Sequence, residues 1–249
     1  AGIVLAPTAA GTHRERKFNN FSPEAGLEWK PNRDLLLYYT FSKGFKAGSG
    51  ENASGSTTIV DPEKITNHEV GIKATMLDRR LSVNLAGYTY KLYGAQYNKT
   101  IAGGPTGYTT IFENAATTSA KGVELEFFSR PMTGVRVNGG LSYTHAKYDN
   151  YRTLDPLNPV NIAGGTPYNP VTNPDPTAFG APGGGEIQLA GNQVRNTPKW
   201  AWNLHGEYDL PFTAIGGKFT LQGDVSHKSR VYFSEFQRDI ESSSPYTMV

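Results

Sequence analysis

Alternation of apolar and polar residues at a period of two constrains this chain more than any other feature of its sequence. In residues 200–210 the apolar phase is Trp200, Trp202, Leu204, Tyr208 and Leu210, and polar residues fill most positions between them. Successive side chains of an extended strand point to opposite faces, so such a strand has one apolar and one polar face. Six stretches show this pattern, and each is long enough to cross a bilayer. Long two-faced strands are typical of a transmembrane β-barrel.

Composition excludes a helical membrane protein. Hydrophobic residues make up only 37% of the 249 residues, and no run approaches the roughly 20 apolar residues that a membrane helix needs. A β-barrel is compatible with this composition, because only alternate strand residues must be apolar. The net charge of +2 is too small to indicate nucleic acid as a partner. The absence of cysteine excludes disulfides and thiolate chemistry.

The alternation predicts eight strands and the start of a ninth. The predicted ranges are Phe18–Lys30, Leu35–Lys46, Ile65–Leu77, Arg80–Tyr97, Thr109–Ser129 (with a bulge around Ala115–Ala120), Val135–Tyr148, Val194–Leu210, Gly217–Phe233 and Pro245–Val249. Residues 1–17 are predicted to be irregular, and residues 48–61, 98–108 and 149–192 to be loops. Tight turns alternate with these long loops, which is the asymmetry of outer-membrane barrels, whose long loops lie outside the cell.

A soluble β-sandwich is the alternative that alternation leaves open. Sandwich strands usually run ~5–6 residues, about half the length predicted here. Aromatic residues also gather near both strand ends, as in the girdles at bilayer interfaces. Those near the short turns are Trp29, Tyr38, Tyr39, Phe127, Phe128, Tyr208 and Phe212, and those towards the long loops are Trp200, Trp202, Tyr232 and Phe233. Strand length and the two girdles favour the barrel.

Four segments resemble the C-terminal barrel of TonB-dependent outer-membrane receptors. They are LLLYYTFSKGFKAG at 35–48, PEKITNHEVGIK at 62–73, Asn114–Ala116 followed by KGVELE at 121–126, and NTPKW at 196–200. Their order and spacing match as well, and the resemblance covers the chain from about Phe18 onwards.

The resemblance implies an all-β fold, an antiparallel transmembrane segment of about 8–9 strands from a 22-stranded plugged barrel. Residues 1–249 would be a partial barrel domain, a fragment without the plug domain, the last strands and the N-terminal segment that binds the energy-coupling protein. The implied function is energy-coupled uptake of a ferric siderophore or similar scarce nutrient across a Gram-negative outer membrane. The implied partners are outer-membrane lipid, the plug domain, a TonB-type coupling protein and a small-molecule ligand such as a ferric chelate. The alternatives are a passive porin-like or adhesion barrel and a soluble carbohydrate-binding sandwich.

No catalytic, cofactor or metal site is predicted, because the five histidines show no metal-ligand spacing and the glycine-rich stretches precede no helical pattern. We expect charged residues of the polar phase to line an inner wall: Glu69, Lys73, Glu124, Glu126, Arg136, Glu207 and Asp224. Ligand contacts are expected on two long loops, because aromatic rings offer contact area and basic residues attract anionic chelates. The candidates are Tyr97, Lys99 and Tyr108 on one loop, and Tyr151, Arg152 and Tyr168 on the longest.

Overall fold

One open antiparallel sheet dominates the protein, here a computed structural model that describes residues 2–4, 15–53, 56–102, 108–155, 186–214 and 216–249. The strands are β1 Gly2–Val4, β2 Glu15–Lys17, β3 Glu24–Asn32, β4 Leu35–Lys46, β5 Gly50–Ala53, β6 Ser56–Ile59, β7 Glu63–Met76, β8 Leu81–Ala102, β9 Tyr108–Ser129, β10 Val135–Thr153, β11 Ile187–Gln188, β12 Trp200–Ala214, β13 Gly217–Lys228, β14 Val231–Tyr232, β15 Ser242–Ser243 and β16 Tyr246–Met248. A 3₁₀ turn spans Asp239–Glu241. None of the described helical residues forms a span long and apolar enough to cross a membrane.

The strand order of the main sheet is β3-β4-β7-β8-β9-β10-β12-β13-β16, and β11 pairs with the far end of β10. Apart from the short hairpins, each strand therefore pairs with its neighbours in sequence, as in an up-and-down barrel wall. The path ends at β3 and β16, so the sheet is not closed. The pairs β1-β2, β5-β6 and β14-β15 form separate two-stranded hairpins.

Strand register confirms the predicted two-faced wall. One continuous row across six strands is Leu37, Ile72, Leu85, Leu125, Leu141 and Trp202. The adjacent row on the opposite face is Leu36, Lys73, Asn84, Glu126, Gly140 and Asn203. Among the described residues, nothing covers the apolar face, since Val70 is 60% exposed and Leu204 is 41% exposed. An exposed apolar face of this size is what a lipid-facing wall requires.

Two short hairpins lie where irregular chain or loop is predicted. In residues 1–17, Ile3 pairs with Arg16, so part of this segment is strand. In residues 48–61, Glu51 pairs with Thr58. Strands of two to four residues contain too few positions for alternation to be recognised, so the pattern misses them.

The predicted seventh and eighth strands have different ends in the structure. The seventh begins at Trp200 instead of Val194, because Pro198 lacks an amide donor and Asn196 has a positive φ of 60°. It continues past the predicted Pro211 turn to Ala214, and a register shift between Asp209 and Thr213 accommodates the proline. The eighth ends at Lys228, five residues earlier than predicted.

The prediction of a loop at residues 98–108 is wrong for most of its length. Strand β8 runs to Ala102 and β9 begins at Tyr108, and Ile101 pairs with Thr109. β-branched residues on both strands favour this extension of the ladder. Strand β10 likewise continues to Thr153, into the predicted longest loop.

Register also defines the row of paired residues that contains Trp200. The row is Tyr39, Val70, Gly87, Val123, Tyr143 and Trp200. The ring centroid of Trp200 lies 4.6 Å from that of Tyr143. The two aromatic girdles stay predictions, because rows of paired residues are inclined to the membrane plane when the strands are tilted.

Candidate ligand-binding site

Strands β8, β9 and β10 extend beyond the apolar rows on the side of the long connections. Their polar face begins there with Tyr88 and Tyr90, whose rings stack at a centroid distance of 6.3 Å. Above Tyr90 the ladder is irregular: β8 places Tyr93 and Gly94 opposite the single residue Thr117, and Gly94 has a φ of +64°. Such a bulge reverses which alternate residues face a given side.

The bulges decide where the predicted residues point. Beyond the shift, Tyr97 and Lys99 lie on the face that Tyr88 and Tyr90 occupy below it. A second shift, between Tyr148 and Asn150, does the same for Tyr151 in β10. The irregularity falls opposite residues 115–118 of β9, where a bulge was predicted, but extra residues also lie in β8 and β10.

Asn114 fixes the bulge in place. Its side-chain amide donates to the carbonyl oxygens of Gly94 and Asp61, both at 2.7 Å, and its carbonyl accepts the Asp61 amide at 2.6 Å. Gln96 adds hydrogen bonds from its side chain to the Ala47 and Asp61 carbonyls. The chain between β6 and β7 is therefore tied to the extended part of β8 and β9.

Three tyrosines, which we call the tyrosine cluster, pack together above the bulge. The ring centroid of Tyr97 lies 5.6 Å from that of Tyr151 and 6.2 Å from that of Tyr148, and Tyr148 and Tyr151 are 5.1 Å apart. Tyr148 is 0% exposed and Tyr151 is 1% exposed. The Tyr151 hydroxyl donates to Glu235 at 3.3 Å. The guanidinium of Arg195 lies over the Tyr97 ring at 5.2 Å.

Two segments of the long connections, residues 186–198 and 233–241, cover the tyrosine cluster. Backbone hydrogen bonds from Leu189 to Tyr151 and from Gly191 to Tyr148, each 2.8 Å, fasten the first segment to β10. The side chain of Asn192 donates to the Glu235 carbonyl at 2.9 Å and joins the two segments. Burial of the cluster therefore depends on both covering segments.

Charged pairs surround the cluster. The ammonium of Lys99 lies 2.9 Å from Glu186 and 3.2 Å from Glu113. Arg152 approaches the same Glu186 at 3.9 Å, and its side chain is 52% exposed. Two further pairs link the covering segments to each other and to the end of β10: Arg195 with Glu235 and Arg238 with Asp155.

Burial sets the protonation states in this region, which lies above the apolar rows. Burial raises the pKa of Tyr148 and Tyr151 far above the usual value. It also raises that of Tyr97, partly offset by Arg195. All three phenols stay neutral donors. Burial alone would lower the pKa of Lys99, but hydrogen bonds to Glu186 and Glu113 raise it overall, so Lys99 stays charged.

The structure brings four of the six predicted ligand residues together: Tyr97, Lys99, Tyr151 and Arg152. They lie on strands β8 and β10, not on loops as predicted, because the strands extend further. Tyr108 is the first residue of β9, and its side chain lies outside the described residues, as does all of Tyr168.

Sequence reasoning missed four residues of this region: Tyr148, Glu186, Arg195 and Glu235. Tyr148 and Tyr151 are three positions apart and share a face only because β10 is bulged between them. The three-residue spacing of these two tyrosines is the sequence signal that could have indicated the bulge and the role of Tyr148. The other three lie in connections, and no local pattern shows where a connection packs.

The polar face also holds a charged network at the short-turn end. Arg136 donates to Asp209 at 2.7 and 2.9 Å and to Glu207 at 2.6 Å. His205 bridges Glu207 at 3.0 Å and Asp224 at 2.7 Å. Register places the predicted wall residues on this one face, as expected. Among the described residues, no group of three or more His, Asp or Glu side chains has the arrangement of a metal site.

Comparison with known proteins gives one family match and a consistent set of relatives. The family profile described as "TonB dependent receptor-like, beta-barrel" matches residues 5–249. A curated relative, the ferrichrome outer membrane transporter/phage receptor of Escherichia coli K12, is 27% identical over 157 residues, which is 61% of this chain and 19% of the relative. The ferric-pyoverdine BN7/BN8 receptor of Pseudomonas putida is 23% identical over 82% of this chain and 26% of its own length.

Solved structures show the same fold at low identity. The ferric yersiniabactin uptake receptor of Yersinia pestis superposes with a TM-score of 0.68 at 13% identity, covering 94% of this chain and 29% of the receptor. The siderophore receptor PiuA of Acinetobacter baumannii gives 0.60 at 18% identity, covering 99% and 31%. The chain thus spans less than a third of the length of these proteins.

Proposed function

The chain belongs to the TonB-dependent receptor-like β-barrel family, and from this premise we propose that it forms part of a receptor for energy-coupled uptake of a ferric siderophore or similar scarce nutrient. The observation that carries the proposal is the two-part construction of β8–β10. Their lower parts form a lipid-facing wall, and their upper parts carry a cluster of tyrosines and charges. Relatives named as outer-membrane transporters and receptors of Gram-negative bacteria place the chain in an outer membrane.

Ligand binding is proposed at the tyrosine cluster and its charged surroundings. Neutral phenols donate hydrogen bonds and offer flat apolar area, and guanidinium groups attract anionic ferric chelates. Arg152 is the most accessible of the four predicted residues that come together here. Tyr97, Tyr151 and Lys99 would act once the covering segments move. Tyr108 and Tyr168 stay predictions.

Energy coupling is proposed to require a plug domain and a TonB-type coupling protein, which act with this wall in a longer receptor. The charged network around Arg136 and His205 supplies hydrogen-bonding groups on the face that a plug would contact. The exposed edges of β3 and β16 support the same view, because unpaired strand edges are not tolerated in lipid. In this proposal the protein binds and transports, and carries out no catalysis.

A passive porin-like or adhesion barrel is the main alternative, because it shares the two-faced wall. It predicts neither a plug nor dependence on cellular energy. The soluble sandwich is disfavoured, since the described residues place no second sheet against the apolar face. Reading the gene on both sides of this segment is the first step: an encoded plug upstream supports uptake, and flanking stop codons rule out active uptake by this chain.

Uptake of radioactive iron tests the function directly. The complete gene is expressed in cells that lack their own siderophore receptors, and a panel of ferric siderophores is supplied with and without a protonophore. We expect saturable uptake of one ligand class that the protonophore abolishes while surface binding persists. Arg152→Gln should weaken binding about tenfold, and Arg33→Gln, at the exposed short turn between β3 and β4, should leave it unchanged. Energy-independent passage of unrelated solutes would instead indicate a porin.

A further inference from the structure

Three arginines lie side by side at the short-turn end of the sheet. We call them the arginine row: Arg80 directly before β8, Arg130 directly after β9 and Arg136 in β10. Register shows their alignment, because Ser129 pairs with both Leu81 and Val137, and each arginine follows one of these residues on the short-turn side. The amide of Arg130 also donates to the carbonyl oxygen of Arg80 at 2.7 Å.

The arginine row lies on the polar face of the sheet. Each arginine is four residues away, along its own strand, from a member of the polar row described above: Asn84, Glu126 and Gly140. An even separation along a strand keeps two side chains on one face. The row is therefore on the face opposite to the lipid-facing Leu81 and Val137.

Charges in the arginine row are only partly balanced by carboxylates. Neighbouring strands are ~4.8 Å apart, and like charges directly opposite each other destabilise a sheet. Arg136 is paired with Glu207 at 2.6 Å and with Asp209 at 2.7 Å. Arg80 and Arg130 make no ion pair with any residue that the structure describes. Two adjacent guanidinium groups therefore keep donors that an anion can use.

A cavity of about 480 Å³ opens at the arginine row. All three arginines line it, together with Arg79 in the turn between β7 and β8 and with Thr133 in the turn between β9 and β10. The side chain of Arg79 is 74% exposed, and its carboxylate partner Asp34 is as far as 3.9 Å away. The cavity has the size of a small-molecule site. Four guanidinium-bearing residues thus share one space on the polar face.

We propose that the arginine row and Arg79 bind a multiply charged soluble oxyanion, one that carries carboxylate or phosphate groups. Guanidinium groups present pairs of N–H donors that match the two oxygens of such groups, and these charge-assisted hydrogen bonds are short and strong. An anion in the cavity also relieves the repulsion between Arg80 and Arg130. A phospholipid headgroup fits less well, because the row lies on the face opposite to the lipid.

The oxyanion site and the tyrosine cluster lie at opposite ends of the same strands. In the proposed function the long connections are outside the cell, so the short turns face the periplasm. The arginine row would then hold an anionic chelate as it leaves the barrel, and this role rests on the proposed function. Binding of an oxyanion at the row does not depend on transport.

Isothermal titration calorimetry of the full-length receptor with citrate and with inorganic phosphate tests the site. The row variant carries Arg80→Gln and Arg130→Gln. The matched control carries Lys30→Gln and Arg33→Gln, which remove the same charge from residues near the turn between β3 and β4 that have carboxylate partners. We expect the row variant to bind citrate about 100-fold more weakly, about tenfold for each arginine. The control should bind as the parent does.

Three results would overturn the proposal. The first is equal affinity of the row variant and the control, or no binding of either anion to the parent. The second is displacement of citrate by sodium chloride at the same ionic strength, because it would show only general charge screening. The third is competition by phosphatidylglycerol added to the detergent micelles, because it would assign the site to a lipid headgroup.

A second variant guards against misfolding of the first. Arg80→Lys combined with Arg130→Lys keeps both charges and removes the paired donors, so it should bind citrate more weakly than the parent. Unchanged affinity of this variant would contradict recognition by guanidinium groups. Because the titration contains no siderophore, lost uptake with intact citrate binding refutes only the proposed function, and lost citrate binding with intact uptake refutes only this inference.

Discussion

Two isosteric substitutions in the tyrosine cluster are expected to have opposite effects on stability. The hydroxyl of Tyr148 is buried and makes no hydrogen bond with the described residues, although the Arg195 backbone and the Tyr97 hydroxyl lie nearby. The hydroxyl of Tyr151 donates to Glu235 at 3.3 Å, or to the Asn98 carbonyl at 3.4 Å. Replacing each tyrosine with phenylalanine keeps the ring and removes only the hydroxyl.

The magnitudes follow from hydrogen-bond energetics. A buried polar group without a partner costs about 1–3 kcal/mol, whereas an average hydrogen bond contributes about 0.5–1.5 kcal/mol. Tyr148→Phe should therefore stabilise the closed cluster by about 1 kcal/mol. Tyr151→Phe should destabilise it by about 1 kcal/mol, because its long hydrogen bonds fall in the lower part of the range and Glu235 loses a donor.

Hydrogen exchange at the end of β10 is the suitable assay, because it measures local opening without global unfolding. A change of 1 kcal/mol alters the exchange rate about fivefold. Amides of residues 146–153 should exchange about fivefold more slowly in Tyr148→Phe and about fivefold faster in Tyr151→Phe, both measured in the full-length protein. Faster exchange in both variants would refute the reasoning, because it would mean that the Tyr148 hydroxyl has a partner in the folded protein.

Three other predictions concern ionisation, packing and the bulge. Burial raises the pKa of Tyr97 and Tyr151 above the unfolded value near 10. The neutral phenols therefore contribute fully to the free energy of unfolding below about pH 10. This contribution is lost as the pH rises through their folded-state pKa values. Absorbance titration should show late-ionising tyrosines, one fewer in Tyr151→Phe, and full ionisation near pH 10 would contradict this. Gly122→Ala should lower the free energy of unfolding by about 1–3 kcal/mol, since a Cβ there would lie 2.5 Å from the Tyr143 carbonyl oxygen. The control is Gly206→Ala, because a Cβ at Gly206 meets no atom within 4 Å. Equal melting temperatures of the two variants would contradict the strand register. Asn114→Ala removes all three hydrogen bonds of its side chain and should speed exchange of the Asp61 amide at least tenfold, whereas Asn138→Ala should leave it unchanged.

The sequence was sufficient to predict the wall, because each strand there obeys one rule over ten or more residues. Period-two alternation alone assigns Leu125 and Leu141 to the apolar face, although it does not show that the two residues pair. The rule fails where a strand leaves the lipid. Residues 98–102 satisfy no membrane pattern, and their pairing with β9 depends on cross-strand contacts that a single strand does not reveal.

The site was only partly predictable for a related reason. The chemistry of Tyr97 and Lys99 predicts a ligand-binding role, and the structure brings them together with Tyr151 and Arg152. The residues that cover the cluster could not be found in the same way. Arg195 and Glu235 reach it through connections that follow no period, so their positions are decided by tertiary packing.

The bulge at Gly94 affects which parts of β8 can change in sequence. Below the bulge, contact with lipid determines which alternate residues of β8 are apolar. Above the bulge, the alternation has the opposite phase. Residues of β8 above Gly94 therefore need not follow the alternation that contact with lipid imposes. A one-residue insertion there would move Tyr97 to the opposite face and bring its neighbours to the face that it occupies now. Leu85 and the rest of the lipid-facing wall would stay unchanged. Gly94 therefore separates two parts of β8, so residues above it can change without altering the lipid-facing wall below it.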